Sequence, residues 1–282
     1  MTNYELKEKH GYSCSFVIRH LAELMLLAID IGNTNVTLGL YNGETLGPSW
    51  RLAAGHEKMP DEYGALLTGL FRHAGINTSD VDAVVIASVV PPLTGAFVEA
   101  CRRYFHCEPM LVDGTCRLGI QIRYEDPAQV GADRIVDAVA AYHLYGGPAC
   151  IIDFGTATTF DAISREGDYL GGAIAPGIGI SSAALFQRAA KLPKVDIGRP
   201  PAAIGKNTVH SLQSGLLFGY VGLVEGMVSR FRTELGAETK VIATGGLAEM
   251  IAKETKVISI LAPWLTLDGL RIIYGLNQTA RI

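Results

Sequence analysis

The sequence predicts an α/β protein made of two similar halves, each a mixed sheet with helices packed against it. Three observations predict it. Short apolar runs alternate with amphipathic stretches along the chain. Each half opens with three strand-like segments joined by tight turns before its helices begin. The clearest break, Tyr145-Gly146-Gly147-Pro148, falls near the middle, and the same order then starts again.

Residues 26–30 (LLAID) read as the first strand and 36–41 as the second. Asn42-Gly43, a strong hairpin dipeptide, leads into a third at 45–52. Pro60-Asp61-Glu62 opens a helix bearing Leu66, Leu67, Leu70 and Phe71. The valine-rich run 81–90 reads as a buried strand. Pro91-Pro92 ends it, and a helix follows through 105. Residues 110–112 form a short strand, and 132–144 a helix with apolar residues at 135, 136, 139 and 140. After the break come strands at 149–153, 158–163 and 169–175, the last two joined by the turn Glu166-Gly167-Asp168. Helices follow at about 178–191 and 207–235, then a strand at 240–243, a short helix near 247–253, a strand at 257–260 and a final helix near 266–277. The domains expected are 25–146 and 147–282. Residues 1–24 mix charges with a short apolar patch and read as a poorly ordered N-terminal extension. Gly215, Gly219, Gly222 and Gly226 recur at spacings of three and four on the long helix, which predicts close helix packing within the core.

With 282 residues, 49% hydrophobic and 18% charged, the chain has ample material for packed cores. Its net charge of -4 offers no electrostatic attraction to nucleic acid or an anionic membrane. The five cysteines, Cys14, Cys101, Cys107, Cys116 and Cys150, form no CxxC pair, which suits free thiols in a reducing, cytoplasmic compartment. VHSLQSGLLFGYVGLV, the longest uncharged run in the late helix, is shorter than the roughly 20 residues a membrane span requires. The histidines show no HxxxH or HExxH spacing, and Trp50 and Trp264 read as packing residues.

One pattern occurs twice. LLAIDIGNTNVTLGLY and CIIDFGTATTFDAI each run a strand into an aspartate, a glycine turn and a returning strand. Asp30 aligns with Asp153, 153 − 30 = 123 positions on, and Gly32 with Gly155. In the ungapped alignment Asn33-Thr34-Asn35 meets Thr156-Ala157-Thr158. A glycine turn lets backbone N–H groups approach phosphate oxygens, and Asn and Thr side chains add neutral donors. An aspartate at a strand end can hold magnesium through its water shell. A single such turn is equally well an Asx turn; two in equivalent places predict a nucleotide in a cleft between duplicated halves. VIATGGLAEM adds a strand-to-helix turn, Thr244-Gly245-Gly246, against which a flat adenine could lie. Gly205-Lys206-Asn207-Thr208 is not a P-loop, and PGIGISSA is a poor dinucleotide fingerprint with Ser182 at its third glycine.

The set DIGNTN, GADR, DFGTATTFD and ATGG, in this order and spacing, resembles the type III pantothenate kinases. That family belongs to the superfamily of acetate and sugar kinases, heat-shock ATPases and actin. The resemblance covers the chain from Met25 onward. It implies duplicated ribonuclease H-like (actin-like ATPase) domains with a central nucleotide cleft, and ATP-dependent phosphorylation of pantothenate, the first step of coenzyme A biosynthesis. It implies that Asp30, Ile31, Gly32, Asn33, Thr34, Asn35, Val36 and Thr37 form an ATP-phosphate loop, with Thr156 contacting ATP from the second hairpin. Magnesium and a monovalent cation, potassium or ammonium, are the implied ions, with Asp153 helping to hold the latter. Tyr124, Gly131, Ala132, Asp133 and Arg134 would line the pantothenate pocket, Asp133 accepting a proton. Thr208 would complete it near the interface of a homodimer. As alternatives, Asp133 could merely cap its helix and Arg134 could form a surface ion pair, and Asp137 and Asp161 fit an acidic site or a structural role. The alternatives are another small-molecule kinase or phosphatase of the superfamily, or a non-catalytic transcription accessory factor.

Overall fold

A computed structural model describes residues 24–278, so the expected N-terminal extension lies outside the described residues except for Leu24. The first sheet contains β1 (Met25–Ile31), β2 (Asn35–Asn42), β3 (Thr45–Ala53), β4 (Ala83–Ser88) and β5 (Met110–Leu111), in the order β3-β2-β1-β4-β5. The second contains β6 (Ala149–Phe154), β7 (Ala157–Ile163), β8 (Tyr169–Pro176), β9 (Lys240–Gly245) and β10 (Ile260–Leu261), in the order β10-β9-β6-β7-β8. The two orders are the same once β1 is matched with β6. In each, an antiparallel three-stranded meander continues into parallel strands.

The helices are α1 (Pro60–His73), α2 (Pro91–Tyr104), α3 (Ala132–Tyr145), α4 (Ile178–Arg188), α5 (Thr208–Leu235), α6 (Ala248–Ala252) and α7 (Leu265–Gln278). Pro91 and Pro92 are the first residues of α2, where proline loses no hydrogen bond. The strand expected at 257–260 is shorter and later: Ser259 bonds to Val241, and the ladder with β9 holds Ile260 and Leu261.

Strand residues alternate between faces, so each sheet has two cores. Leu27, Ile29 and Ile31 pack outward on Tyr63, Leu67 and Phe71 of α1 and Phe97 of α2. Cys150, Ile152 and Phe154 pack outward on Leu217, Val221 and Val224 of α5. The inner faces share one helix. Val136 and Val139 of α3 meet Leu26 and Ala28, while Ala138, Ala140 and Ala141 meet Ala149 and Ile151. Helix α3 is therefore buried on both sides, and its alanines let the second sheet approach closely.

The last helix returns to the first sheet. Leu267, Leu270 and Ile273 of α7 join the core formed by β1, β4 and α3. At the crossing, Gly269 lies against the main-chain carbonyl of Val136, with no room for a Cβ.

The glycine stripe of α5 corrects the sequence expectation. A Cβ at Gly215, Gly219 or Gly222 would meet nothing within 4 Å. These glycines face away from the chain's own core, which α5 meets through Leu217, Val221, Val224 and Val228. Spacing shows that a helix has a smooth side but not what lies against it. Among the described residues no helix is long and apolar enough to cross a membrane.

Alanine normally stabilises a helix interior relative to glycine by about 1 kcal/mol. Gly269→Ala is expected to do the reverse, lowering the unfolding free energy by about 1–3 kcal/mol through overpacking on Val136. Urea unfolding measures it, and a stabilised variant would contradict the close α3–α7 crossing.

Candidate active site

Face alternation decides where the hairpin aspartates point. Asp30 shares its face with Leu26 and Ala28, and Asp153 with Ala149 and Ile151. Both faces are the inner ones, covered by α3. The first two turns of α3 carry Asp133 and Asp137. Four carboxylates thus come together between the two sheets.

Their electrostatics record the crowding. Burial pushes the Asp30 carboxyl up to about 8, Asp133 and Asp153 add repulsion, and Arg51 opposes them. Burial likewise raises Asp153 to about 7, with repulsion from Asp133 and Asp161 and relief from Arg51. Asp137 is buried and held well above the usual carboxylate range by desolvation and then by Asp153, although the Thr266 hydroxyl donates to it at 2.7 Å. Asp133 accepts a 2.8 Å bond from the backbone N–H of Arg134 in the first turn, where the helix dipole favours a negative charge.

The first hairpin keeps Ile31 and Val36 paired and buried, while Asn33, Thr34 and Asn35 form an exposed tip. The Gly32 N–H donates to the Asn35 carbonyl at 3.0 Å, closing the turn, and the Thr34 carbonyl accepts from Ala54 N–H at 2.9 Å. The second hairpin is one residue tighter. Asp30 pairs with Thr37, but Asp153 pairs with Thr159. Beyond the turn the halves correspond at a separation of 122, not 123, and Thr34 corresponds to Thr156. The ungapped alignment misses this by one position because a shorter loop shifts the returning strand. These equivalent threonines meet, Oγ1 to Oγ1, at 2.7 Å across the cleft.

Thr244 of β9 pairs with Asp153, and Gly245 with Phe154. Gly245 has φ +90°, and a Cβ there would strike an Asp153 carboxylate oxygen and the Phe154 backbone. The glycine brings the ATGG turn against the aspartate.

Arg134 sits beside Asp133 but turns toward the second sheet. Its Nη2 lies 2.7 Å from Asp161, the two side chains being 10% and 2% exposed. The carboxylate it meets is thus the protein's own, in a buried pair. Tyr169 donates to the same Asp161 oxygen at 2.8 Å and lies beneath the guanidinium. Burial outweighs these partners and leaves the Asp161 carboxyl above its ordinary range. The Tyr124 ring lies 6.3 Å from that of Tyr169, positioned by residues 121–123, which bond to the Tyr169 backbone. Tyr124, Arg134 and Tyr169 therefore form one wall beside Asp133. Thr208 is exposed at the first position of α5, and no hydrogen bond of the described residues links it to this wall or to the four aspartates.

The structure therefore gathers the residues expected from the hairpins and GADR, leaving Thr208 apart. Asp137 and Asp161 join them, one among the four aspartates and the other as the anchor of Arg134. Sequence reading missed Arg51, Thr266 and Tyr169. The first is distant in sequence from any motif, and the other two act through tertiary contacts. Among the described residues no three His, Cys, Asp or Glu side chains close directly around a metal position.

A family profile described as type III pantothenate kinase matches residues 26–230. A relative from Roseiflexus sp. (strain RS-1) named type III pantothenate kinase is 52% identical over 255 residues, spanning 90% of this chain and all of its own length. One of the same name from Myxococcus xanthus (strain DK1622) is 52% identical over 256 residues, 91% of this chain and 100% of the relative. Among solved structures, a Campylobacter jejuni protein described as a Baf family transcriptional activator superposes with a TM-score of 0.58 at 19% identity, covering 91% of this chain and 100% of that one. The ethanolamine utilization protein EutJ from Carboxydothermus hydrogenoformans gives 0.52 at 12%, covering 92% and 96%. The structural likenesses carry the fold alone, the duplicated actin-like α/β architecture.

A carboxyl raised by folding binds a proton that the unfolded chain has released. The contribution of Asp30 and Asp153 to stability is therefore complete below about pH 4 and lost as pH rises through about 7 to 8. Asp30→Asn is expected to raise the Tm of the ligand-free protein at about pH 8.5 and to flatten its decline from about pH 5. A variant with the parent's pH profile in calorimetry would contradict the crowding of these carboxylates.

Proposed function

This chain belongs to the type III pantothenate kinases and phosphorylates pantothenate with ATP, the first step toward coenzyme A, and we propose how its cleft performs that transfer. The observation that carries the proposal is the meeting of Thr34 and Thr156 at the tips of two equivalent hairpins, beside the converging aspartates. The two hydroxyls now bond to each other, and both can turn to phosphate oxygens. The backbone and side chains from Asp30 to Thr37, including Ile31, Gly32, Asn33, Asn35 and Val36, form the first phosphate loop, and Thr156 serves the second. Adenine lies against Thr244-Gly245-Gly246.

Asp30 and Asp153 suit a hard cation, being oxygen donors whose repulsion a positive charge would relieve. A kinase requires a divalent metal with its ATP, and we assign magnesium, held by these aspartates, water and phosphate. It would neutralise charge building on the transferred phosphoryl group. Asp153 would also help hold a monovalent cation, potassium or ammonium.

Phosphoryl transfer through a loose transition state needs alignment more than a strong base. Asp133 is the proposed base, orienting the primary hydroxyl of pantothenate and accepting its proton as the bond to phosphorus forms. Gly131 leaves room for that carboxylate, since a Cβ would crowd Asp133 Oδ1. Tyr124, Ala132 and Arg134 line the pocket, with Arg134 held in place by Asp161.

Thr208 would complete the pocket in a homodimer. Support comes from an unpartnered surface: the open Gly215–Gly219–Gly222 stripe and Val209 of α5, with Ile180, Leu185 and Phe186 exposed on the neighbouring α4. A second copy covering this face would bury apolar area that water now meets. The reading places the enzyme in the cytoplasm, with no nucleic-acid or membrane partner. It rests on the acidic balance and on Cys101, Cys107, Cys116 and Cys150 being free thiols.

In a coupled assay with pantothenate, ATP and magnesium, turnover is expected to drop sharply when sodium replaces potassium. Asp133→Asn should lower kcat by about 100-fold or more while Tm holds. Sedimentation should give twice the 30.2 kDa chain mass. A fully active Asp133→Asn enzyme contradicts the base assignment, and a monomer contradicts the shared pocket.

A further inference from the structure

We propose that Arg51 is a phosphate-binding residue of this cleft, bringing from the first half a positive charge to the nucleotide's triphosphate. The proposal rests on the kinase reading above. Asp30, Thr37 and Arg51 stand abreast on three adjacent strands, since Asp30 pairs with Thr37 and Thr37 with Arg51. Directly opposed residues in antiparallel strands present their side chains on the same face. Arg51 therefore shares the face of the β1 aspartate.

From that position it reaches the other half. Its Nη1 lies 3.3 Å from where a Gly246 side chain would begin, in the ATGG turn. Its charge is felt by both Asp30 and Asp153. The residue is exposed, and among the described residues no ion pair or side-chain hydrogen bond engages its guanidinium. The neighbouring basic side chains are occupied otherwise. Arg134 is paired with Asp161, Lys58 lies over the Tyr63 ring, and His56 bonds to the Asn33 carbonyl.

The duplication supplies an internal control. In the second half the corresponding row is Asp153, Thr159 and Ile174. Ile174, at Arg51's place, is apolar and 66% exposed. An arginine is thus not needed to build this edge of the fold. It stands in one half only, where it shares a face with Asp30 and acts on both Asp30 and Asp153, carboxylates that would repel a triphosphate without added positive charge. A guanidinium gives planar, paired N–H donors suited to phosphate oxygens, which a lysine matches in charge alone.

The test compares nucleotides with and without phosphate. By calorimetry, Arg51→Ala is expected to weaken MgATP binding by roughly tenfold or more while adenosine affinity stays within about twofold. Arg51→Lys should recover part of the loss. In turnover the KM for ATP should rise while that for pantothenate is unchanged. Equal losses for ATP and adenosine, or a lowered Tm with both, would make Arg51 a structural clasp against Gly246 and overturn the proposal. An unchanged ATP affinity with full wild-type turnover would also overturn it and leave the kinase reading standing. A wild-type protein that turns over no pantothenate would overturn that reading, and this proposal with it.

Discussion

Helix α3 is held between the inner faces of two sheets, and the site depends on that confinement. Its valines pack on one sheet and its alanines on the other, so neither its rotation nor its depth is free. Because Asp133 and Asp137 stand at its start, they are driven toward Asp30 and Asp153, which end the central strands of the two sheets. The hydrophobic packing that folds the protein is thus what assembles the like charges. Burial contributes most to the raised carboxyls and mutual repulsion adds to it. Arg51 relieves only part of that repulsion, and under the proposed function the cations that accompany the triphosphate would relieve the rest.

Duplication accounts for the plan, and departures from duplication account for the chemistry. The two sheets have the same strand order, and the hairpin threonines meet as equivalents across the cleft. Yet the second hairpin is one residue shorter, the ATGG turn closes on Asp153, and GADR opens a helix shared by both sheets. The two hairpins are built alike, but the surrounding charges differ, and on the proposed reading that difference would separate the nucleotide from the alcohol that receives its phosphoryl group.

Much of this was legible from local pattern. Alternating and continuous apolar runs located every strand but β10 within a residue or two, and Asn42-Gly43 and Pro60-Asp61-Glu62 marked a turn and a helix start. The two acid-tipped hairpins were visible because each breaks an apolar strand in the same way. What depends on distant partners was not legible. The return of α7 to the first sheet leaves no trace in its own sequence. The pairing of Arg134 with Asp161 and Tyr169 joins three segments separated by turns and strands. The glycine stripe of α5 reads as core packing because spacing cannot show whether the neighbour belongs to the same chain. The match of Thr34 to Thr156 required strand register, which a single deleted loop residue hides from an ungapped alignment.

A crystal structure with magnesium and a non-hydrolysable ATP analogue tests the central claim most directly. The account predicts the β- and γ-phosphates between the two hairpin tips, with the Thr34 and Thr156 hydroxyls turned from each other to phosphate oxygens and the metal beside Asp30 and Asp153. Phosphates bound elsewhere, for instance at the start of α4, with the threonine pair intact, would contradict it.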